Sequence, residues 1–339
     1  MNYKANKKAI EYTIDDFREL VMAFQKSRIV LTAYELEIFS AIGKDGAKSK
    51  KVATKIKADR KAAERLMNAL CAIGLLKKEG DIYFNTKFSE KYLIKNSPAY
   101  ITGLMHMNSL WKRWSALTEA VIKGSALDEV IDKKKEKYWT QAFIAAMHDR
   151  AKINASTLVE MLDLSKVKKV LDLGGGSGAY AIAFAKARKD IIATVFDLPD
   201  VIPLTKKYVA EEGMKKNKIN FISGDYLVDD LGNGYDLILL SQIIHSNSIR
   251  DNIKLMKKCE QALNIGGQIV IQDFIIDEDR TKPIHAALFS INMLVGTEAG
   301  DTYTESEVIE YLRETGFKNM RRKDTNWGTT LIIAYKGKM

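Results

Sequence analysis

Five ionisable side chains in the second half of the 339-residue chain stand at the ends of short apolar runs. They are Asp172 in "VLDLGGGSG", Asp197 in "IIATVFD", Asp225 in "INFISGD", His245 in "LILLSQIIH" and Asp273 in "GQIVIQD". Asp172 leads into Gly174, Gly175, Gly176 and Gly178. A turn of that composition admits positive φ and lets a ligand lie against the main chain at a helix N-terminus. Dinucleotide-binding sheets use a similar glycine pattern. Here, however, Asp172 places a negative charge where a pyrophosphate would be repelled and an ammonium or sulfonium welcomed. S-adenosylmethionine carries both of those cations and no phosphate. Asp197 is placed to accept hydrogen bonds from two ribose hydroxyls, a role NAD proteins share, and Asp225 to accept from an adenine amino group. Taken singly, each aspartate could equally be a helix cap or a turn residue. Three in succession at the ligand end of a sheet are harder to explain that way.

Of the four histidines, only His245 follows directly on a core strand. An imidazole with an ordinary pKa of about 6.5 can take a proton near neutral pH from a phenol that ionises near pH 10. Asp273 is the natural partner to fix its tautomer and stabilise its charged form. His106, His148 and His285 lie in helical patterns and read as satisfied core or surface residues, although His148 follows Met147 near the expected pocket.

The elements that must position these groups alternate. "KKVLDL", "IIATVFD", "KINFIS", "YDLILLS" and "GQIVIQDF" are short apolar runs, mostly separated by helix-length segments. Strands alternating with helices predict a doubly wound α/β sheet covered on both faces. The ending "FKNMRRKDTNWGTTLIIAYKGK" adds two strands without a helix between them, which suits an antiparallel edge hairpin. Upstream, Ile29 to Ile42 carries apolar residues at helical spacing, closed by Gly43 as C-cap. From Ser49 to Leu93 the pattern is helix, turn, helix and a short hairpin around Glu79-Gly80-Asp81, the order of a winged helix. Ala63, Leu66, Met67, Leu70 and Ile73 form a core-packing stripe there. The expected domains are thus a mostly helical winged-helix-like segment (1–95), a helical bridge (96–164) and the sheet domain (165–339). Beyond the short run Lys133 to Lys135 there is no low-complexity tract, and there is no internal repeat.

An apolar fraction of 46% is ordinary for a globular protein. No run approaches a membrane span, and "MNYKANKKAIEYT" has no apolar stretch behind its basic residues. A cytoplasmic, unexported protein is expected. Cys71 and Cys259 are isolated, so neither a disulfide framework nor a zinc site is expected, and no carboxylate cluster suggests magnesium. Much of the net charge of +10 lies in the first 95 residues, with 20 Lys/Arg against 12 Asp/Glu. A Lys-rich solvated surface is the commoner cause of such a surplus, ahead of nucleic-acid binding.

Along nearly its whole length the chain resembles the class I S-adenosylmethionine-dependent methyltransferases, and within them the plant caffeic-acid and hydroxyindole O-methyltransferase type with its bacterial relatives. The resemblance rests on the N-terminal domain, the F-x-x-A-M of "FIAAMHD", "VLDLGGGSG", "FDLPDVI", "GDYL" and the histidine after the fourth strand. It implies S-adenosylmethionine as cofactor and S-adenosylhomocysteine as product. Contacts to them are implied at Asp172, Gly174, Gly176, Gly178, Asp197, Leu198, Gly224, Asp225, Tyr226 and Ser241. It further implies methyl transfer to a hydroxyl of a small, aromatic acceptor with His245 as general base. Asp273 matches one acidic position of the family. The other aligns with Thr302, with Glu298 and Asp301 nearby. The implied partner is a second copy of the chain, paired through the N-terminal domain. Met105, Trp111, Phe143, Met147, Phe289 and Met293 are candidates for a flat, apolar acceptor pocket, and each could equally be core.

One departure stands out. The family follows its catalytic histidine with Asp and Trp, whereas this chain has Ser246 and Asn247, so the aromatic that would stack on adenine is absent. Two alternative readings follow. One is an enzyme of the same fold that methylates carbon or transfers no methyl group. The other is a DNA-binding regulator, for which Lys44 to Lys61 offers eight Lys/Arg against two acids.

Overall fold

The computed structural model describes residues 11–127, 136–215 and 217–337; the Lys133 to Lys135 run lies outside them. The chain divides into two compact units, 1–105 and 106–339. In the first, α1 (Ile14–Glu35), α2 (Ile38–Ile42), β1 (Ala47–Lys48), α3 (Ser49–Lys55), α4 (Arg60–Ala72), β2 (Leu76–Glu79), β3 (Ile82–Asn85) and α5 (Lys87–Tyr92) follow in order. The three strands form an antiparallel sheet, β1-β3-β2. Ala63, Met67 and Leu70 of α4 join Tyr34, Phe39, Val52 and Tyr83 in one buried cluster, with Leu66 and Ile73 packed against it. The helical stripe read from the sequence is therefore core.

Two expectations change in this unit. The single helix over Ile29 to Ile42 is two helices, because Glu37 adopts a left-handed φ of 53° and breaks the run before α2. Gly43 does close α2, at φ 75°. The unit also continues ten residues past the boundary at 95. Ile101 donates its N–H to the Tyr92 carbonyl and accepts the Tyr34 hydroxyl at 2.8 Å, and Tyr34 stacks on Tyr100. Met105 packs against this N-terminal core.

Helix α6 (Leu104–Ser115) crosses the division, followed by α7 (Leu117–Lys123) and α8 (Glu136–Glu160). The sheet elements are β4 (Lys169–Leu173), α9 (Ala179–Ala187), β5 (Ile192–Asp197), α10 (Ile202–Glu211), β6 (Ile219–Ser223) and β7 (Tyr235–Ser241). After a 3₁₀ turn at Ile244–Ser246 come α11 (Ile249–Ala262), β8 (Leu263–Asp273), α12 (Ile284–Gly296), α13 (Glu305–Glu314), β9 (Phe317–Asp324) and β10 (Thr330–Lys336). The seven strands order β6-β5-β4-β7-β8-β10-β9. The first five run parallel, and β10 runs antiparallel to both of its neighbours, β8 and β9, so the terminal hairpin forms an edge as expected.

The two-residue period of the strands sorts the core into two layers. Leu171, Leu173, Ile238, Leu240, Ile269 and Ile271 pack under α11 and α13, which contribute Leu255, Met256, Val308 and Leu312. Val170, Leu237, Leu239 and Val270 face the other way, under Leu158 and Val159 of α8 and Phe184 of α9. No helix among the described residues is long and apolar enough to cross a membrane, and both cysteines are free thiols.

Candidate active site

The glycine turn sits between β4 and α9, with positive φ at Gly174 (64°), Gly176 (55°) and Gly178 (76°). It is held from below and from the side. The Gly174 N–H donates to the Phe196 carbonyl at 2.7 Å, and the Gly176 N–H donates to Oδ2 of Asp197 at 2.7 Å. The other Asp197 oxygen accepts the N–H of Leu198 at 2.7 Å. Burial raises the pKa of Asp197, and these two N–H groups oppose that rise. Each carboxylate oxygen has a second lone pair, so Asp197 can still accept from ligand hydroxyls. Gly224, at the end of β6, ties the third strand to the second through its N–H on the Asp197 carbonyl, at 3.0 Å. Asp225 follows, accepting the Leu227 N–H at 2.8 Å in a local turn.

Asp172 departs from the reading that would put its charge against a ligand. Period two places it with Val170 on the α9 face, where it has no exposed surface. One oxygen accepts the Ala181 N–H at 3.1 Å near the start of α9, and the other has no partner. This is the helix-terminus role that the sequence left open. Burial, with Asp197 adding its negative field, pushes the Asp172 carboxyl up to about 7. Gly175 packs directly on it, since a Cβ there would stand 2.7 Å from Asp172 Cγ and 2.9 Å from Val195 Cγ1. Asp172 thus lies beneath the glycine turn, closed off from the surface and shaping the turn through its packing on Gly175.

His245 lies in the 3₁₀ turn beyond β7, only 8% exposed. Its Nδ1–H donates to Oδ1 of Asp273 at 2.7 Å, and Asp273 also accepts the Phe274 N–H at 2.8 Å. The imidazole meets the ring of Phe289 edge-on at 4.8 Å between centroids, and Phe274 lies 4.5 Å from Phe289. The backbone of His245 is also gripped: a Cβ on Gly300 would collide with its carbonyl oxygen, so only glycine lets that segment pass.

The structure brings some predicted residues together and separates others. Phe289 stands at His245, and Met293 is buried one turn further along α12. Trp111 is half-buried on α6, which joins α12 through Trp114 Nε1 to Asn292 Oδ1 at 2.9 Å and Arg113 to the Gly296 carbonyl at 3.0 Å. Phe143 and Met147 lie on α8; the Phe143 ring meets His106 at 5.2 Å. Met105 belongs to the other unit. Ser241 ends β7 with its hydroxyl donated to Gln272 at 2.8 Å.

His148 packs against the glycine turn and α10. Its Nδ1 is 2.9 Å from the Ser177 hydroxyl and its ring stacks on Tyr208 at 4.2 Å, and burial lowers its pKa. In the segment expected to hold a second acid, Glu298 is exposed. Asp301 is bound by Ser290, Arg280 and the Thr302 N–H, while Thr302 is fully buried with its hydroxyl unpaired. Asp273 is the acid bonded to His245 among the described residues. Sequence reading missed Phe274, whose only signal is its place directly after Asp273 at a strand end. Ser177 and Ile144, which touches the turn beside Gly176, were also missed. Among the described residues no group of three or more His, Cys, Asp or Glu could hold a metal ion.

A glycine turn at the first crossover of a doubly wound sheet, with Asp197 bonded to it, suits a nucleoside ligand. Comparison with known proteins agrees. Human N-acetylserotonin methyltransferase, solved in complex with S-adenosylmethionine, superposes with a TM-score of 0.82 at 25% identity, covering 100% of both chains. The family model of the O-methyltransferase domain matches residues 114–318, and that of the O-methyltransferase dimerisation domain residues 18–95. The 3-hydroxy-5-methyl-1-naphthoate 3-O-methyltransferase of Streptomyces sahachiroi is 31% identical over 89% of this chain and 89% of its own. The tetracenomycin polyketide synthesis 8-O-methyl transferase TcmO of Streptomyces glaucescens is 28% identical over 95% of this chain and 96% of its own. The chain belongs to the O-methyltransferase family. It is an S-adenosylmethionine-dependent methyltransferase.

Proposed function

We propose that the protein methylates a hydroxyl of a small aromatic acceptor, with His245 as general base. The observation that carries this reading is the His245–Asp273 pair beside Phe289. With Nδ1–H donated to Asp273, Nε2 is the ring nitrogen left to take a proton, and a negative partner stabilises the imidazolium that results. Phe289 and Phe274 give the imidazole apolar, aromatic surroundings, which favour an aromatic ring and exclude water. Acceptors named for the relatives, a hydroxynaphthoate and a tetracenomycin intermediate, are of this kind.

The bound cofactor supplies an electrophilic methyl group on a sulfonium. The glycine turn and Asp197 are the residues suited to hold its nucleoside, Asp197 through the ribose hydroxyls. Leu198, Gly224, Asp225, Tyr226 and Ser241, in or next to the ends of β5, β6 and β7, are the further residues proposed to line the crevice. The task of the protein's own groups is then alignment of the acceptor oxygen and removal of its proton.

The pairing partner is a second copy of the chain. The dimerisation-domain match covers most of α1, on which Ile14, Phe17, Leu20, Val21, Met22 and Phe24 are each more than half exposed, while only Leu31, Ala33 and Tyr34 near its end are buried. Such a stripe needs a cover.

The test is incubation with S-adenosylmethionine and a panel of phenols and hydroxynaphthoates, following S-adenosylhomocysteine and the O-methyl product together. His245→Ala is expected to lower kcat roughly 10²- to 10⁴-fold while leaving S-adenosylhomocysteine binding intact. Full activity in that variant would remove the proposed base.

A further inference from the structure

Tyr226 occupies an unusual position between the cofactor crevice and a buried polar network. It follows Asp225 in the loop after β6, and its Cε1 stands 4.0 Å from where a Cβ on Gly174 would be. The ring therefore lies beside the first residue of the glycine turn. Its main chain is fixed by Lys258, whose ammonium donates to the Tyr226 and Asp229 carbonyls, each at 2.6 Å. Its far end is fixed too, since the phenol donates to Oδ1 of Asn247 at 3.1 Å.

That acceptor is itself oriented. Asn247 Nδ2 donates to Oδ1 of Asn252 at 3.1 Å, and Asn252 Nδ2 donates to the Ile244 carbonyl at 2.9 Å. The Tyr303 hydroxyl donates to the Asn247 carbonyl at 2.5 Å. Every amide therefore has one role, and Oδ1 of Asn247 can only face the phenol. Asn247, Asn252 and Tyr303 are all buried, whereas Tyr226 keeps part of its surface open. Burial pushes the phenol up to about 12, so it remains a neutral donor at any working pH. A tyrosine clamped at its carbonyl and its hydroxyl has only its ring to present.

We propose that Asn247 is a positioning residue that holds the Tyr226 ring as the flat wall against which the adenine of the cofactor stacks. This rests on the reading above that the crevice at the glycine turn binds the nucleoside. Asn247 stands where the family resemblance implies a tryptophan two residues after the histidine. The aromatic face is supplied from the β6 loop instead, and the residue at the tryptophan position secures it without touching the ligand.

The experiment measures binding of S-adenosylhomocysteine and of 5′-methylthioadenosine, which shares its adenine and ribose but lacks the amino acid. Both are titrated calorimetrically into the wild type, Asn247→Leu, Tyr226→Phe, the double variant and Tyr226→Ala. Loss of one oriented hydrogen bond is expected to raise both dissociation constants by about threefold to tenfold in Asn247→Leu and in Tyr226→Phe, with the double variant no worse than either. Tyr226→Ala, which removes the ring, should raise them by roughly 10- to 100-fold. With substrate, the KM for S-adenosylmethionine rises in Asn247→Leu and kcat at saturation holds, a split that a merely structural defect would not give. Unchanged affinities in Asn247→Leu and Tyr226→Phe, or losses that add in the double variant, overturn the proposal. If Asn247→Leu does not fold, Tyr226→Phe and Tyr226→Ala decide it. Failure of the wild type to bind either ligand would instead refute the cofactor assignment and the proposal with it.

Discussion

Replacing Asp172 by Asn turns the burial of this carboxylate into a measurable pH dependence. In the folded protein the group titrates at about 7, against about 3.9 for an unstructured aspartate. The fold therefore binds the proton more tightly than the unfolded chain does, so stability is highest at low pH and falls as pH rises from about 4 to about 7. Each tenfold difference in acidity is worth about 1.4 kcal/mol, which makes the full loss about 4 kcal/mol, reached above pH 7. About a third of it is already gone at pH 5, leaving roughly 2 to 3 kcal/mol between pH 5 and pH 8. Asn has the same shape, can accept the Ala181 N–H and does not titrate. Its amide nitrogen would meet the same unpaired surroundings as the free oxygen does, a cost of roughly 1 to 3 kcal/mol that is constant with pH. Every other titrating group is common to both proteins. In thermal unfolding of the ligand-free proteins, the Tm of Asp172→Asn relative to wild type should accordingly climb by roughly 5 to 10 °C from pH 5 to pH 8 for a unit of this size. A difference that stays flat over that range would mean that Asp172 remains ionised inside the fold.

Two further outcomes follow from the same site. Gly175→Ala places its methyl within 3 Å of the Asp172 carboxyl and Val195, neither at the end of a flexible side chain, and should cost roughly 1 to 3 kcal/mol together with most of the affinity for S-adenosylhomocysteine, read by thermal unfolding and calorimetry. Asp273→Asn keeps the shape beside His245 but removes the charge that stabilises its protonated form. Single-turnover methyl transfer should slow by roughly 10²- to 10⁴-fold with cofactor binding unchanged, and an unaffected rate would show that His245 needs no ionic partner.

The strands that build the crevice were legible because each is a run of apolar residues closed by a turn, and the acids and the histidine at their ends mark the ligand side. What two-residue alternation adds is direction. It sends Val170 and Asp172 together under α9, so proximity to the glycines in sequence misjudges which way Asp172 points. The break at Glu37 gave no signal, for neither Gly nor Pro stands there to announce a left-handed residue. Met105 and Met147 look alike in a helical pattern, yet one packs in the N-terminal core and the other lies on α8, because partners and not periodicity decide such assignments. Ser246 and Asn247 read as a loss from the family pattern. The compensation lies in Tyr226, Asn252 and Tyr303, scattered over more than seventy residues, and only the folded chain brings them together.

Helix α8 carries Phe143 and Met147 and, from the same two turns, sets Ile144 beside Gly176 and His148 on Ser177. One helix therefore braces the glycine turn and carries two of the residues proposed for the acceptor pocket. Such a shared support ties the order of events to geometry: seating the nucleoside first braces the helix that the acceptor must lean on. With the acceptor wall as proposed, the expected kinetic signature is a sequential mechanism led by the methyl donor, with S-adenosylhomocysteine last to leave; product-inhibition patterns check it.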